Sequence, residues 1–435
     1  TTLRAPAELS FKDITTGAIA DFDDATDPVT LEMQGSNNWV VSGKRSVTGK
    51  PLLASDPHRA LLIPSLRRTV HLVAPGINQI GAGEPALPGI ALGHNESIGF
   101  GFTITGTDQQ DLYVEQLNPN NLDEYLHAGV WKKMTVERHS VAVKGKKAEV
   151  VECRHTMHGP VIGLDRARRR AYVMRWVGSE PGTAGYLAGL SLAQAQTWPQ
   201  FLEAVGRFKA PAENLLYADN KGNIGFAVAG LAPIRKSWNG LLPVPGQTGT
   251  YEWAGFLDPA QLPRSLNPPD GLLATANNNI LPAGFPHILN YDWAQPFRAD
   301  RIRAQLATRL KWSLDDFERL QFDVVSEPAK RFQAILRKWN PGPSSSGREI
   351  LPILLAWDAK MTTDSMPAAV MAVWMAKLGP AIFQPANLGA RANIGTVLKA
   401  LEAKPNPAAL ERTLAATLGE LTRSFGPHQA NWKWG

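Results

Sequence analysis

The chain has 435 residues, 44% of them hydrophobic, enough to bury one large core or two modest ones. A formal charge of +6 is mild at this length. Neither basic cluster, Lys144-Gly145-Lys146-Lys147 or Arg166-Ala167-Arg168-Arg169-Arg170, carries interleaved aromatics, which argues against nucleic acid as a partner. The one cysteine, Cys153, excludes an intrachain disulfide. The most apolar stretch, 367–383, is broken by Lys377, Gly379 and Pro380, so it reads as a core helix and not a membrane span.

Residues 1–35 are polar and irregular, with Asp21, Asp23, Asp24 and Asp27 crowded ahead of Pro28. From 36 to about 117, short apolar runs bounded by Gly and Pro read as strands. The block 141–177 adds more, and its basic turns are expected to be exposed hairpin tips. Cys153 is expected to be a buried, inert thiol. His155 and His158 are expected to be core or edge residues without chemistry. Thr197 and Gln200 form a capping-box pattern for a helix over 198–208, whose Phe201, Leu202, Val205 and Phe208 share one face. Asp219-Asn220-Lys221-Gly222 is a hairpin signature between the runs 215–218 and 224–229. From Arg301 the pattern turns helical, with a second capping box at Ser313 and Asp316, flanked by Trp312 and Phe317 as a hydrophobic staple. Further helical runs fall at 328–339, 349–359, 368–377 and 408–423.

Several motifs follow one another in order. Gln34-Gly35-Ser36-Asn37-Asn38-Trp39-Val40-Val41 is a loop feeding a strand. Asp56-Pro57-His58 ends a second strand, and Pro88-Gly89-Ile90-Ala91-Leu92-Gly93-His94-Asn95 comes later. Over about 27–323 the text resembles the penicillin acylase family of N-terminal nucleophile hydrolases. The resemblance implies an α+β, four-layer αββα fold with an additional helical subregion. Residues 1–35 would be the end of a small subunit or a spacer peptide, and 36–300 a sheet-rich catalytic core. Residues 301–426 would be the helical subregion and 427–435 the start of a returning strand. The missing initiator methionine and the strand-like last residues suggest an internal piece of a longer precursor. By resemblance that precursor is periplasmic or secreted, and its small subunit is this chain's partner.

A serine hydroxyl is a poor nucleophile without a base to take its proton. The sequence offers no Gly-x-Ser-x-Gly elbow, which counts against an ordinary Ser-His-Asp esterase. A serine at a chain N-terminus has another base, its own α-amine, with a reference pKa near ~8. That requires cleavage between Gly35 and Ser36, which in the family is autocatalytic. The resemblance places the oxyanion-hole amide at Asn277, in Thr275-Ala276-Asn277-Asn278-Asn279, and the second donor at the Ile104 backbone N–H. It gives His58 a place near the serine amine and hydroxyl, and Arg301 a supporting role toward Asn277. Structural Ca²⁺ is implied at Asp108, Gln110 and Asp111, with Asp292 as a further ligand; hard oxygen donors suit that ion. No organic cofactor is expected.

The implied substrate is a small molecule with an amide between an apolar acyl chain and a polar amine. Three positions of the implied acyl pocket depart from the penicillin G acylases: Arg59 where they have phenylalanine, Leu92 where they have an aromatic, and Phe102 where they have a small serine. A phenylacetyl-shaped pocket is therefore not expected, while apolar walls could take aliphatic chains. The alternative from another class is an uncleaved, non-catalytic binding or structural protein on the same scaffold.

Overall fold

A computed structural model describes residues 35–435 apart from 86, 185–186, 343–344, 346 and 384–392. The expectation for 1–35 falls, Gly35 aside, outside the described residues. The chain divides into two units. The first runs to Ala294 and includes Arg309–Ser313; the second comprises Gln295–Thr308 and Leu314–Gly435.

The first unit is built of antiparallel sheet, in keeping with the turn-rich text. Its first strands are β1 (Gly35–Val41), β2 (Leu52–His58), β3 (Arg68–Ala74), β4 (Ile77–Gly83), β5 (Leu92–Asn95), β6 (Ile98–Ile104) and β7 (Gln110–Asn118). Next come β8 (Asn121–His127), β9 (Val130–Lys133), β10 (Thr135–Val141), β11 (Glu149–Thr156), β12 (Gly159–Asp165) and β13 (Arg170–Trp176). After two helices, α1 (Gly189–Gln194) and α2 (Trp198–Gly206), follow β14 (Glu213–Asp219), β15 (Ile224–Ala229), β16 (Pro233–Arg235) and β17 (Val244–Pro245). The last are β18 (Trp253–Phe256), β19 (Arg264–Leu266) and β20 (Leu272–Thr275).

Three sheets matter for function. A three-stranded sheet has the order β2-β1-β20, and a seven-stranded sheet the order β19-β15-β14-β6-β5-β4-β3. They pack face to face, β1 and β2 lying over β6 and β14. On the far side of the larger sheet, α1 and α2 pack Leu192, Phe201 and Val205 against Ile98, Phe100 and Phe102. Because β14 and β15 are covered on both faces, every residue of Glu213–Asp219 and Ile224–Ala229 is buried. Strand alternation turns Gly101 toward β2, where an added Cβ would sit 2.4 Å from the Ser55 Cβ; the close approach of the sheets needs glycine there.

The third sheet runs β10-β11-β12-β13-β7-β8-β9. Its β10–β11 arm is exposed on both faces, and both basic clusters sit at hairpin tips as expected. That exposure corrects the reading of Cys153: the thiol is on this arm and only half-buried.

The helix predicted at 198–208 is α2, but its capping box does not form. Thr197 makes no side-chain cap bond, and Gln200 Oε1 instead accepts from the Gln196 N–H at 2.9 Å. The predicted hairpin is formed by β14 and β15, with Asp219 Oδ1 accepting from the N–H groups of Lys221 and Asn223.

The second unit is helical: α3 (Phe297–Ala307), α4 (Leu314–Gln321), α5 (Glu327–Leu336), α6 (Gly347–Ala356), α7 (Met366–Ile382), α8 (Ile394–Ala403) and α9 (Pro407–Phe425). Phe332, Leu336, Trp374, Leu398 and Leu414 are fully buried at its centre. Side-chain caps begin α5, α7, α8 and α9: Ser326 accepts from Ala329 N, Ser365 from Ala368 N, Asn393 from Thr396 N and Asn406 from Ala409 N. Each such cap contributes about 1 kcal/mol. The strand expected at 427–435 is not formed. Gln429–Asn431 is a 3-10 turn, and Trp432 is buried in the helical core with its Nε1–H donating to the Gly426 carbonyl. Among the described residues no helix is long and apolar enough to cross a membrane.

Candidate active site

Ser36 is the second residue of β1, the middle strand of its sheet, and is 3% exposed. The register pairs Gly35 with His58 and Ser36 with Pro57 on one flank. On the other flank β20 pairs with β1 only over Asn38–Val41 and ends at Thr275. The space beside Ser36 is filled by a side chain. Asn277 Oδ1 accepts from the Ser36 N–H at 2.8 Å, and Asn277 Nδ2 donates to Ser36 Oγ at 3.1 Å. In this intact chain the Ser36 nitrogen is an amide; it stands where cleavage would leave an α-amine.

Asn277 reaches back because its own backbone has left the strand. Its φ is +62°, a left-handed conformation that Asn tolerates better than most residues. The Asn277 carbonyl accepts from Ala294 N at 3.0 Å, and Asn278 Oδ1 accepts from Ala276 N at 3.0 Å, so the turn is held on both sides. Asn277 Nδ2 also donates to the Ile104 carbonyl at 2.9 Å. Thr105 donates to Ala212, next to the Ile104–Glu213 pair. Ladder bonds alternate along an antiparallel pair, so Ile104 points both its N–H and its carbonyl away from β14. That is the edge where its carbonyl meets Asn277.

His58 is in the next strand, and the pleat decides what it can reach. Alternation puts Gly35, Asn37, Asp56 and His58 on one face of the sheet and Ser36, Asn38 and Ser55 on the other. Accordingly His58 Nε2 lies 3.2 Å from Asp56 Oδ2 and 3.3 Å from Asn37 Nδ2. Arg301 stands in α3 of the second unit, its guanidinium on Asp323 Oδ2 at 2.6 Å and Glu327 Oε1 at 3.4 Å. Burial alone would raise the Asp323 carboxyl's pKa; bonds from Arg301 and the Val325 N–H outweigh it and hold it below the ordinary value.

Of the pocket positions, Phe102 is buried and Leu92 packs against the same apolar cluster. The Arg67 guanidinium lies over the Phe102 ring at 5.1 Å. Arg59 follows directly on the end of β2 and is partly exposed.

The sequence did not disclose a buried polar chain between the two sheets. Thr275 Oγ1 donates to Asn38 Oδ1 at 2.5 Å and meets Thr103 Oγ1 at 2.7 Å. Asn214 Nδ2 donates to Thr103 Oγ1 at 3.2 Å, and Asn38 Nδ2 to the Asn214 carbonyl at 3.3 Å. All four residues are buried, and the chain ties β1 and β20 to β6 and β14 next to Ser36. Polar residues recurring on the inward face of several strands were the available signal.

The calcium candidates Asp108, Gln110 and Asp292 line one cavity of about 420 Å³, together with Gly240 and Asn290. Asp111 is buried beside it, its Oδ2 accepting from Arg235 Nε at 2.7 Å and Trp253 Nε1 at 2.5 Å. Asp111 Oδ1 is buried without a hydrogen-bond partner among the described residues. Burial pushes the Asp111 carboxyl up to about 6 despite Arg235, and burial with the nearby Asp292 raises Asp108 as well. The cluster is short of positive charge. An oxygen-rich site with an orphaned carboxylate oxygen fits a hard divalent cation.

Two antiparallel sheets stacked face to face, with a serine on the central strand, define the fold class of the N-terminal nucleophile hydrolases. The thermostable penicillin G acylase from Alcaligenes faecalis has this fold. It superposes with a TM-score of 0.79 over 91% of this chain and 80% of its own, at 23% identity. The family description Penicillin amidase matches residues 4–435, and the chain belongs to that family. Acyl-homoserine lactone acylase QuiP of Pseudomonas aeruginosa is 30% identical over 93% of this chain and 54% of its own length. Penicillin acylase 2 proenzyme of Pseudomonas sp. (strain SE83) is 32% identical over 77% of this chain and 43% of its own. The chain thus spans about half the length of the curated relatives it matches.

Proposed function

We propose that the protein is an amidohydrolase that cleaves the bond between an apolar acyl chain and a polar amine. Its substrates would be of the penicillin or N-acyl-homoserine lactone type. Ser36 is the nucleophile, freed by self-cleavage of the Gly35–Ser36 bond, and the preceding segment remains as a small-subunit partner. The observation that carries this reading is the single amide of Asn277 lying against both the nitrogen and the hydroxyl of Ser36.

Ser36 Oγ attacks the substrate carbonyl and passes its proton to the serine's own amine. The tetrahedral oxyanion is met by Asn277 Nδ2 and the Ile104 N–H. The amine then protonates the leaving nitrogen, and water hydrolyses the acyl ester by the same steps in reverse roles. Asn277 Nδ2 has two hydrogens, engaged by Ser36 Oγ and the Ile104 carbonyl, so the oxyanion must displace one of them. His58, paired with Asp56, bounds the strand end where the new amine would lie. The printed names of the relatives support acyl amides as substrates. Export to the periplasm or beyond fits the same family.

The test is to express the whole precursor, take its intact mass, and sequence any new N-termini. A fragment beginning Ser36-Asn37-Asn38 that releases acid from a panel of aliphatic acyl amides is the expected result. An uncleaved chain with no turnover would overturn the reading in favour of a non-catalytic scaffold.

Calcium would be held by Asp108, the Gln110 carbonyl, Asp111 and Asp292, supplying the charge this cluster lacks. Chelation with EGTA is expected to lower the melting temperature by roughly 2–4 °C, with recovery on adding Ca²⁺. An unchanged melting temperature would remove the ion from the proposal.

A further inference from the structure

Away from the serine, the first unit gathers a second set of side chains that the proposed reaction leaves unused. His127 ends β8, His158 sits in the turn before β12, and Glu252 directly precedes β18. Each brings one ligand-type atom to within 4.8 Å of the other two. We propose that His127, His158 and Glu252 form a binding site for a divalent transition-metal ion of the zinc type, with water completing the coordination.

An imidazole binds metal through a lone pair, and the other ring nitrogen decides where that lone pair is. His158 Nδ1 lies 2.6 Å from Oε1 of the fully buried Glu115, which fixes its hydrogen on Nδ1. His127 Nδ1 lies 3.2 Å from the Gly246 carbonyl, which can only accept, so this ring also carries its hydrogen on Nδ1. A carboxylate or carbonyl behind each ring is the arrangement that orients metal-bound histidines. His127 therefore offers Nε2, and His158 does so once its Nε2 hydrogen has left.

The remaining contacts hold that geometry. Tyr113 stacks on His158 with ring centroids 4.1 Å apart and planes 11° from parallel. Gly246 closes over Glu115, where a Cβ would come within 2.0 Å of Oε2. That Oε2 is buried without a hydrogen-bond partner among the described residues. Glu252 Oε2 is 3.6 Å from Arg175 Nη1, leaving Oε1 on His158 Nε2 at 2.8 Å.

In the metal-free protein the last of these bonds requires a hydrogen on Nε2. Binding breaks that N–H, the proton leaves to solvent, and the ion takes Nε2 and Oε1 together. The carboxyl groups of Glu115 and Glu252 flank the two imidazoles, with Arg175 on the far oxygen of Glu252. Nitrogen donors favour zinc-type ions over calcium. Glu252 is 32% exposed at its side chain, so the ion has a way in.

The experiment is a Zn²⁺ titration of the chelator-stripped full precursor in excess Ca²⁺, with Co²⁺ as the spectroscopic probe. One equivalent should bind the wild type and show tetrahedral cobalt bands. In His127→Ala the affinity should fall by at least about tenfold and the bands should be lost. His127→Gln keeps a donor for the Gly246 carbonyl and serves if the alanine variant does not fold. No stoichiometric zinc in the wild type, or equal affinity in a folded His127 variant, overturns the site. Ser36→Ala should bind zinc like the wild type, so the result stands apart from the amidase reading.

Discussion

Ser36→Ala is expected to leave one uncleaved chain and to lower amide hydrolysis by at least about 10⁴-fold, the scale of losing a catalytic serine. The change removes one oxygen from a buried strand position and keeps the β1 register, so the protein should still fold. Two functions disappear together, because the oxygen that would attack the Gly35 carbonyl during processing is the one that would later attack substrate. Mass spectrometry reads the first loss and acid release the second. Amidase activity that survives the substitution would sink the mechanism.

The second large effect belongs to Asn277. Asn277→Ala is expected to cut kcat by about 10²–10³-fold, the usual result of removing one oxyanion donor. KM should change far less, because the lost interaction develops in the transition state. Alanine also strains a backbone at φ +62°. Asn277→Gly removes the amide while accepting that φ, so the pair separates chemistry from conformation. Both variants should be equally slow once rates are normalised to the cleaved fraction. A glycine variant with near-normal kcat would reduce Asn277 to a turn residue.

Much of this is legible in the sequence itself. The hairpin at 219–222, the exposed basic tips and the helical second half follow from local turn chemistry and periodicity. Ser36 and Asn277 were singled out by motif order, and the structure brings them into contact across 241 positions of sequence. What stayed hidden depends on pairing. Which face His58 takes is set by the β1–β2 register, and one residue of slip would have turned it toward Ser36. The chain from Asn38 through Thr275 and Thr103 to Asn214 joins four strands far apart in sequence, so no local window contains it. Helix α8 is not among the runs expected from periodicity, although Asn393, Val397, Leu398 and Leu401 carry its cap and apolar face. Cys153 departs from its expected burial because strand character says nothing about whether an arm of sheet is covered.

The bond from Ser36 N to Asn277 Oδ1 has a directional consequence. A neutral amine carries one lone pair, and an acceptor fixed against it claims a hydrogen. Oδ1 can therefore hold only the N–H side of an N-terminal serine, leaving the lone pair to turn elsewhere. The same amide donates to the hydroxyl oxygen through Nδ2, so that oxygen remains free to point its own hydrogen at the nitrogen. One planar group would thus set the direction of proton transfer within a single residue, and rotating that amide by half a turn would undo both settings at once.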